Sequence, residues 1–275
     1  MLPKIIQWAE KQKGIKALIL LGSRVSEKNG DKWSDYDIAV FCDSDLAFIE
    51  SEDWLRDIGE VWVCINEKIS MQGRTFPTRL VIFQGGVKVD FSLLTTDFLD
   101  AMSKRLPDEF QVGYRVLLDK GNITHNLPKR PLALPEATKP TPQQFLEVIK
   151  EYWFEVYHVA VYLKREDLWL VKFRSGSTNE FLLRMIEWHS EAKHQWKMKT
   201  RPHGKGMQSW VDPKIWNALN GAFGHFDSHD SWEALLKSNE LFRQVSIETA
   251  KMLGYDYPHD LDKNISGFIL GLKPI

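Results

Sequence analysis

Two short motifs constrain this chain more than anything else in it. The apolar run Ala17-Leu18-Ile19-Leu20-Leu21 ends at Gly22-Ser23-Arg24, and Ser34-Asp35-Tyr36-Asp37 then leads into a second apolar run, Ile38-Ala39-Val40. The first reads as a strand closing on a small-residue turn, where bare backbone N–H groups and a hydroxyl can approach a phosphate. The second opens another strand. Side chains on a strand alternate faces, so Asp35 and Asp37 point the same way. Two carboxylates held side by side repel, and a divalent cation between them relieves the repulsion. A phosphate turn beside a metal pair implies nucleotide chemistry.

A third acid strengthens the pattern. After the turn signal Gln84-Gly85-Gly86, the segment Val87 to Leu93 alternates. Val87, Val89, Phe91 and Leu93 fall on one face, and Lys88, Asp90 and Ser92 on the other. If this strand neighbours the one that carries Asp37, then Asp35, Asp37 and Asp90 converge. Three carboxylates are a ligand set for two Mg²⁺ ions that hold a nucleoside triphosphate and prepare an attacking hydroxyl. Asp31, which follows Asn29-Gly30, reads as part of a surface turn.

These residues resemble the DNA polymerase beta-like nucleotidyltransferase superfamily, whose pattern is a Gly-Ser turn, an acidic dyad and a later acidic residue on a strand. Leu21-Gly22-Ser23-Arg24, Asp31-Lys32-Trp33-Ser34-Asp35-Tyr36-Asp37-Ile38, Arg184-Met185-Ile186-Glu187-Trp188-His189 and Leu253-Gly254-Tyr255-Asp256-Tyr257-Pro258 resemble, more narrowly, the streptomycin (aminoglycoside 6-) adenylyltransferase family. The likeness runs over nearly the whole chain. It implies an α+β protein, with an N-terminal mixed-sheet nucleotidyltransferase domain followed by an all-α helical bundle and the nucleotide between them. It also implies transfer of AMP from ATP to an aminoglycoside hydroxyl, streptomycin first, with release of pyrophosphate. Lys205-Gly206-Met207-Gln208 and Arg201-Pro202-His203 depart from the family's pattern, which bears on acceptor choice more than on chemistry.

The roles expected from this reading are specific. Gly22, Ser23 and Arg24 meet the phosphates, with Lys172 and Lys205 as further cations for the triphosphate tail. Asp35, Asp37 and Asp90 are the metal ligands and the catalytic set. Glu151, Glu155 and Glu187 are acids for a cationic acceptor, and either Asp90 or one of these three takes the proton of the attacking hydroxyl. Glu151 and Glu155 stand four apart on a helix, a like-charge pair that a cation would relieve. Acids also gather from Asp43 to Glu60, read as a helix after the dyad strand. The open alternatives are a different small-molecule or protein hydroxyl as acceptor, and a nucleotide-binding module without turnover.

Composition narrows the partners. With 36 basic and 37 acidic residues the net charge is −1, and no long basic run offers a stripe for a polyanionic strand. A small acceptor is therefore expected over nucleic acid. The expected assembly is a monomer or weak homodimer. No apolar run reaches the ~18 residues of a membrane span, and the two cysteines, Cys42 and Cys64, sit in strand-like runs as buried free thiols. A cytoplasmic location is expected, with no membrane partner.

Prolines 128, 131, 135, 140 and 142 divide the chain. The expected organisation is a nucleotidyltransferase domain over 1–125, a proline-rich connector over 126–140 and a helical domain over 141–275. Thr141-Pro142-Gln143-Gln144 reads as a capping box opening a helix, Ser177-x-x-Glu180 as a second, and Gly254 as the stop of a helix over 232–253. Most of the eleven tryptophans, including Trp153, Trp188, Trp216 and Trp232, read as core, and Trp33 as a ring beside the site.

Overall fold

A computed structural model describes residues 1–25, 31–43, 50–111, 113–129 and 137–274. The chain divides into two compact units, Met1–Pro135 and Glu136–Ile275.

The first unit is built on a mixed sheet. Its elements are α1 (Leu2–Lys11), β1 (Ile15–Leu21), β2 (Tyr36–Cys42), β3 (Val61–Met71), β4 (Arg74–Phe83), β5 (Val87–Thr95), α2 (Phe98–Lys104), α3 (Asp108–Gln111) and β6 (Arg115–Asp119). The strand order is β3-β4-β5-β2-β1-β6. Neighbours run antiparallel except β2 and β5, which run parallel with Asp37 opposite Asp90. Since parallel partners cannot be joined by a tight turn, the β3–β4 hairpin lies in the connection between them.

Period-two alternation explains how the sheet buries both faces. Leu18, Leu20, Ile38, Val40, Val89, Phe91 and Leu93 pack on one side with Ile5 and Trp8 of α1 and with Trp54 and Leu55. Ala17, Ile19, Leu21, Ala39, Phe41 and Leu94 pack on the other with Phe98 and Met102 of α2. By that alternation Asp37 and Asp90 lie on the α2 side of the sheet. That face is buried at Ala39, Phe41 and Leu94 and stays half-exposed at the end where Asp37 and Asp90 stand. Two glycines, Gly85 and Gly86, take positive φ between β4 and β5 as the turn signal implied.

The sequence reading missed several elements here. Strands β3 and β4 run well past the apolar segments 61–65 and 80–83, because their polar and proline-containing halves, Asn66 to Thr78, pair with each other. α1 and the short β6 were not foreseen. Of the helix expected over 43–60, residues 44–49 lie outside the described residues, and Asp53–Asp57 is a 3₁₀ turn. Cys42 is buried, which pushes its thiol up to about 12 with a further push from Asp43. Cys64 is only half-buried.

The second unit is helical: α4 (Pro142–Lys164), α5 (Leu168–Lys193), α6 (Pro213–Leu219), α7 (Ser228–Leu253) and α8 (His259–Leu272). Thr141 and Gln144 form the expected capping box at α4, with Thr141 Oγ1 accepting from the Gln144 amide at 3.2 Å and the Thr141 amide donating to Gln144 Oε1 at 2.9 Å. Gly254 ends α7 in the left-handed conformation. Ser177-x-x-Glu180 does not open a helix, for α5 already begins at Leu168 and carries these residues in its interior. Packing against α4 and α7 overrides the local capping signal there. Tyr152 of α4 stacks on Phe242 of α7 at 3.5 Å in the middle of the core. Trp153 and Trp232 are buried, whereas Trp216 is 37% exposed. Among the described residues, no helix is long and apolar enough to cross a membrane.

Candidate active site

The site is assembled at the ends of β1, β2 and β5. Beyond Leu21 the chain turns through a 3₁₀ segment, Gly22–Val25, with Gly22 at φ +69. A Cβ placed on Gly22 would stand 2.0 Å from Asp37 Oδ2, so the Asp37 carboxylate packs directly on the glycine backbone. Ser23, next along, is partly buried, and its Oγ has no hydrogen-bond partner among the described residues.

Parallel register puts Asp90 beside Asp37, and Asp35 follows by alternation. One carboxylate oxygen from each of the three lies within 4.8 Å of the others. Lys88, on the Asp90 face of β5, donates from Nζ to Asp90 Oδ2 at 2.6 Å and to Asp35 Oδ2 at 3.1 Å. Burial alone would push the lysine pKa down, but its hydrogen bonds and charge contacts with Asp90 and Asp35 outweigh that and raise it. Asp90 Oδ1 is buried without a partner among the described residues.

Arg24 does something other than wait for a phosphate. Its Nε donates to the carbonyls of Ser34 at 2.8 Å and Asp35 at 3.1 Å, and one terminal nitrogen reaches Ser34 O at 2.5 Å and Lys32 O at 3.4 Å. The guanidinium also lies 4.0 Å over the Tyr36 ring. It thereby pins the segment that carries Asp35. The same segment is closed by Asp31, whose Oδ1 accepts from the Trp33 amide at 3.0 Å and Ser34 Oγ at 2.9 Å. Those bonds, the Ser34 hydroxyl first, hold the Asp31 carboxyl below its usual range. Trp33, 81% exposed, rests its ring under the Lys32 ammonium.

The donor set fits a divalent cation. Three hard carboxylate oxygens converge, one acid keeps a buried oxygen without a donor, and an ammonium is already drawn to two of them. The bare turn beside them offers the Ser23 hydroxyl and close backbone approach.

Against known families, a model described as streptomycin adenylyltransferase matches residues 1–272. The chain belongs to this family. It is accordingly an enzyme of the nucleotidyltransferase class. An aminoglycoside 6-adenylyltransferase of Campylobacter jejuni is 26% identical to this family member over 280 residues, 98% of this chain and 93% of its own. Two solved structures resemble it at lower identity. One is an aminoglycoside 6-adenyltransferase from Bacillus subtilis, 21% identical with a TM-score of 0.47 over 99% of this chain and 97% of its own. The other is a nucleotidyltransferase-like protein from Exiguobacterium sibiricum, 10% identical with a TM-score of 0.36 over 90% and 74%.

The remaining expected residues of this adenylyltransferase-family chain lie in the helical unit. Lys172 is tied down, donating to Gly224 O at 2.9 Å and Ser231 Oγ at 2.7 Å beside a cavity of about 180 Å³. Lys205 is exposed in a loop where His203, Gly204 and Gly206 all take positive φ, and these three neighbours line an apolar cavity of about 850 Å³. Glu155 is buried and paired with Arg174 at 3.0 Å, which supplies the cation that the Glu151–Glu155 spacing called for. Glu187 is buried too, 3.6 Å from Arg184. Burial raises its pKa, Arg184 draws it back, and Glu191 pushes it up again. Glu151 stays exposed and lines a cavity of about 500 Å³ with Arg184 and Trp188.

Sequence reasoning missed Lys88 as part of the acid cluster and the tethering work of Arg24. The first was readable, since Lys88 stands two residues before Asp90 on the same strand face. The second was not, because no pattern in the sequence shows backbone carbonyls turning toward a side chain.

Proposed function

We propose that this chain transfers the AMP group of ATP to a hydroxyl of an aminoglycoside, streptomycin foremost, and releases pyrophosphate. The observation that carries the reading is the convergence of Asp35, Asp37 and Asp90 within 4.8 Å beside the Gly22-Ser23 turn. Asp35, Asp37 and Asp90 would hold two Mg²⁺ ions, which supply charge neutralisation at the phosphates and a lowered pKa for the attacking hydroxyl.

The chain's own groups have distinct tasks. Ser23 Oγ and the backbone amides of the turn bind the β- and γ-phosphates, using a hydroxyl that has no hydrogen-bond partner among the described residues. Gly22 lets the Asp37 carboxylate approach the turn, and Arg24 fixes the position of Asp35. The acceptor oxygen forms a bond to the α-phosphorus as the bond from that phosphorus to the pyrophosphate oxygen breaks. The hydroxyl proton passes to a carboxylate, either Asp90 or one of Glu151, Glu155 and Glu187. The bond electrons leave with pyrophosphate. Most of the acceleration comes from alignment of the reacting atoms and from fixed charge around the phosphates.

Acceptor binding is assigned to Glu151. It remains exposed beside Trp188, while Glu155 is engaged by Arg174 and Glu187 is buried. A cationic sugar ring suits a carboxylate next to an indole.

The experiment is pyrophosphate release from ATP and Mg²⁺ across a panel of aminoglycosides and uncharged polyols, with mass spectrometry of the product. The reading expects an AMP adduct on streptomycin and none on the polyols, and Asp37→Asn abolishes it. Absence of pyrophosphate release with every aminoglycoside would overturn it.

A further inference from the structure

Lys88 sits inside the acid cluster, and its position there is the most informative feature the reaction scheme leaves unused. Its ammonium holds Oδ2 of both Asp35 and Asp90. The lysine backbone is fixed in the β4–β5 ladder opposite Ile82. The β2–β5 pairing begins one residue later, at Tyr36 and Val89, so the lysine stem lies where β5 opens beside the Asp35 segment. The side chain is 43% exposed and free to reorient on its four-carbon stem.

An ammonium at hydrogen-bond distance from two carboxylate oxygens and a divalent cation on the same two oxygens would stand only a few ångströms apart. Their mutual repulsion makes the two occupancies exclusive. Once metal has entered with a triphosphate, the phosphates offer the lysine a new anionic partner within the reach of its stem.

We propose that Lys88 is a resident counter-ion of the Asp35, Asp37 and Asp90 cluster that divalent metal displaces toward the nucleotide's phosphates, making metal and nucleotide bind as a pair. The ammonium screens the repulsion among the acids before the metal arrives and penalises metal binding without a nucleotide. The inference rests on reading the three acids as metal ligands.

The test is calorimetric titration of the full chain with Mn²⁺ alone and, separately, with a non-hydrolysable ATP analogue in saturating Mg²⁺. Lys88→Met removes the charge at similar length, and Lys88→Gln, which keeps a donor to the acids, covers the case in which the first variant fails to fold. In either variant, affinity for Mn²⁺ alone should rise on the order of tenfold while affinity for the analogue falls on the order of tenfold. Opposite signs are the signature. A residue that merely holds the site together would weaken both when replaced, and parallel losses or no change in either titration would overturn the proposal. Asp37→Asn should remove Mn²⁺ binding from every background; if it does not, the metal reading falls and the inference falls with it. Should the Mn²⁺ gain appear while the unaltered enzyme adenylylates no aminoglycoside, the lysine's role stands and only the proposed reaction is lost.

Discussion

Gly22 and Asp37 are in contact in a way that leaves no room for a side chain on the glycine: a Cβ there would lie 2.0 Å from Asp37 Oδ2. The residue also holds φ +69, where other residues are strained. Gly22→Ala therefore displaces the carboxylate or the turn. Its turnover should fall about 100-fold, the scale expected for a displacement of about 1 Å at a reacting centre. Far-UV circular dichroism unchanged alongside the kinetic loss would place the damage at the site.

Arg24 should not tolerate lysine. The planar guanidinium reaches the carbonyls of residues 32, 34 and 35 at once while lying over Tyr36, and an ammonium cannot reproduce that fork. Arg24→Lys should reduce kcat/KM roughly tenfold through the position of Asp35. Steady-state kinetics check this; equal activity would show the tether to be dispensable.

Glu155 and Arg174 make an ion pair in which the carboxylate side chain is 10% exposed and the guanidinium 34%. Removing the cation alone, Arg174→Met, strands a buried charge and should cost about 1–3 kcal/mol after allowing for the half-open arginine. Urea unfolding measures it. The double replacement Glu155→Leu with Arg174→Met should cost less than the single one, since no charge is then left unpaired.

Glu187 gives the fold a pH dependence of known sign. Burial, opposed by Arg184 and reinforced by Glu191, lifts its pKa above the ordinary 4.5. The folded state then keeps this proton to higher pH than the unfolded state does. Stability contributed by the protonated carboxyl is complete below about 4.5 and is lost as pH rises through the folded pKa. Melting temperatures of Glu187→Gln and the unaltered chain, compared between about pH 4 and pH 7, should shift in the variant's favour as pH rises. A difference that does not change with pH would refute the assignment.

How far the sequence reveals this molecule varies from residue to residue. Asp35 and Asp37 share a face by simple alternation, and so do Lys88 and Asp90; strand periodicity carries that much. What brings the two pairs together is the parallel pairing of β2 with β5, which depends on the whole hairpin between them and has no local signature. Capping shows the same divide. Thr141 and Gln144 open a helix whose first turn holds Pro142, a residue that no helix interior accommodates well, whereas Ser177 and Glu180 carry a similar signal in the interior of α5, where burial of Val171, Leu182 and Ile186 decides the helix's length. Short strands such as β6 are chosen by their neighbour β1 rather than by their own five residues.

The pairing of Asp37 with Asp90 also ties the proposed metal site to the completion of folding. Fifty-two positions separate them, and the intervening chain has to leave and return before the acids can meet, a slow kind of encounter because loop-closure entropy must be lost first. A nascent chain with only its first two strands formed holds Asp37 but not its partner. Such an intermediate lacks the third carboxylate of the cluster, so the proposed metal site exists only after β5 has joined β2.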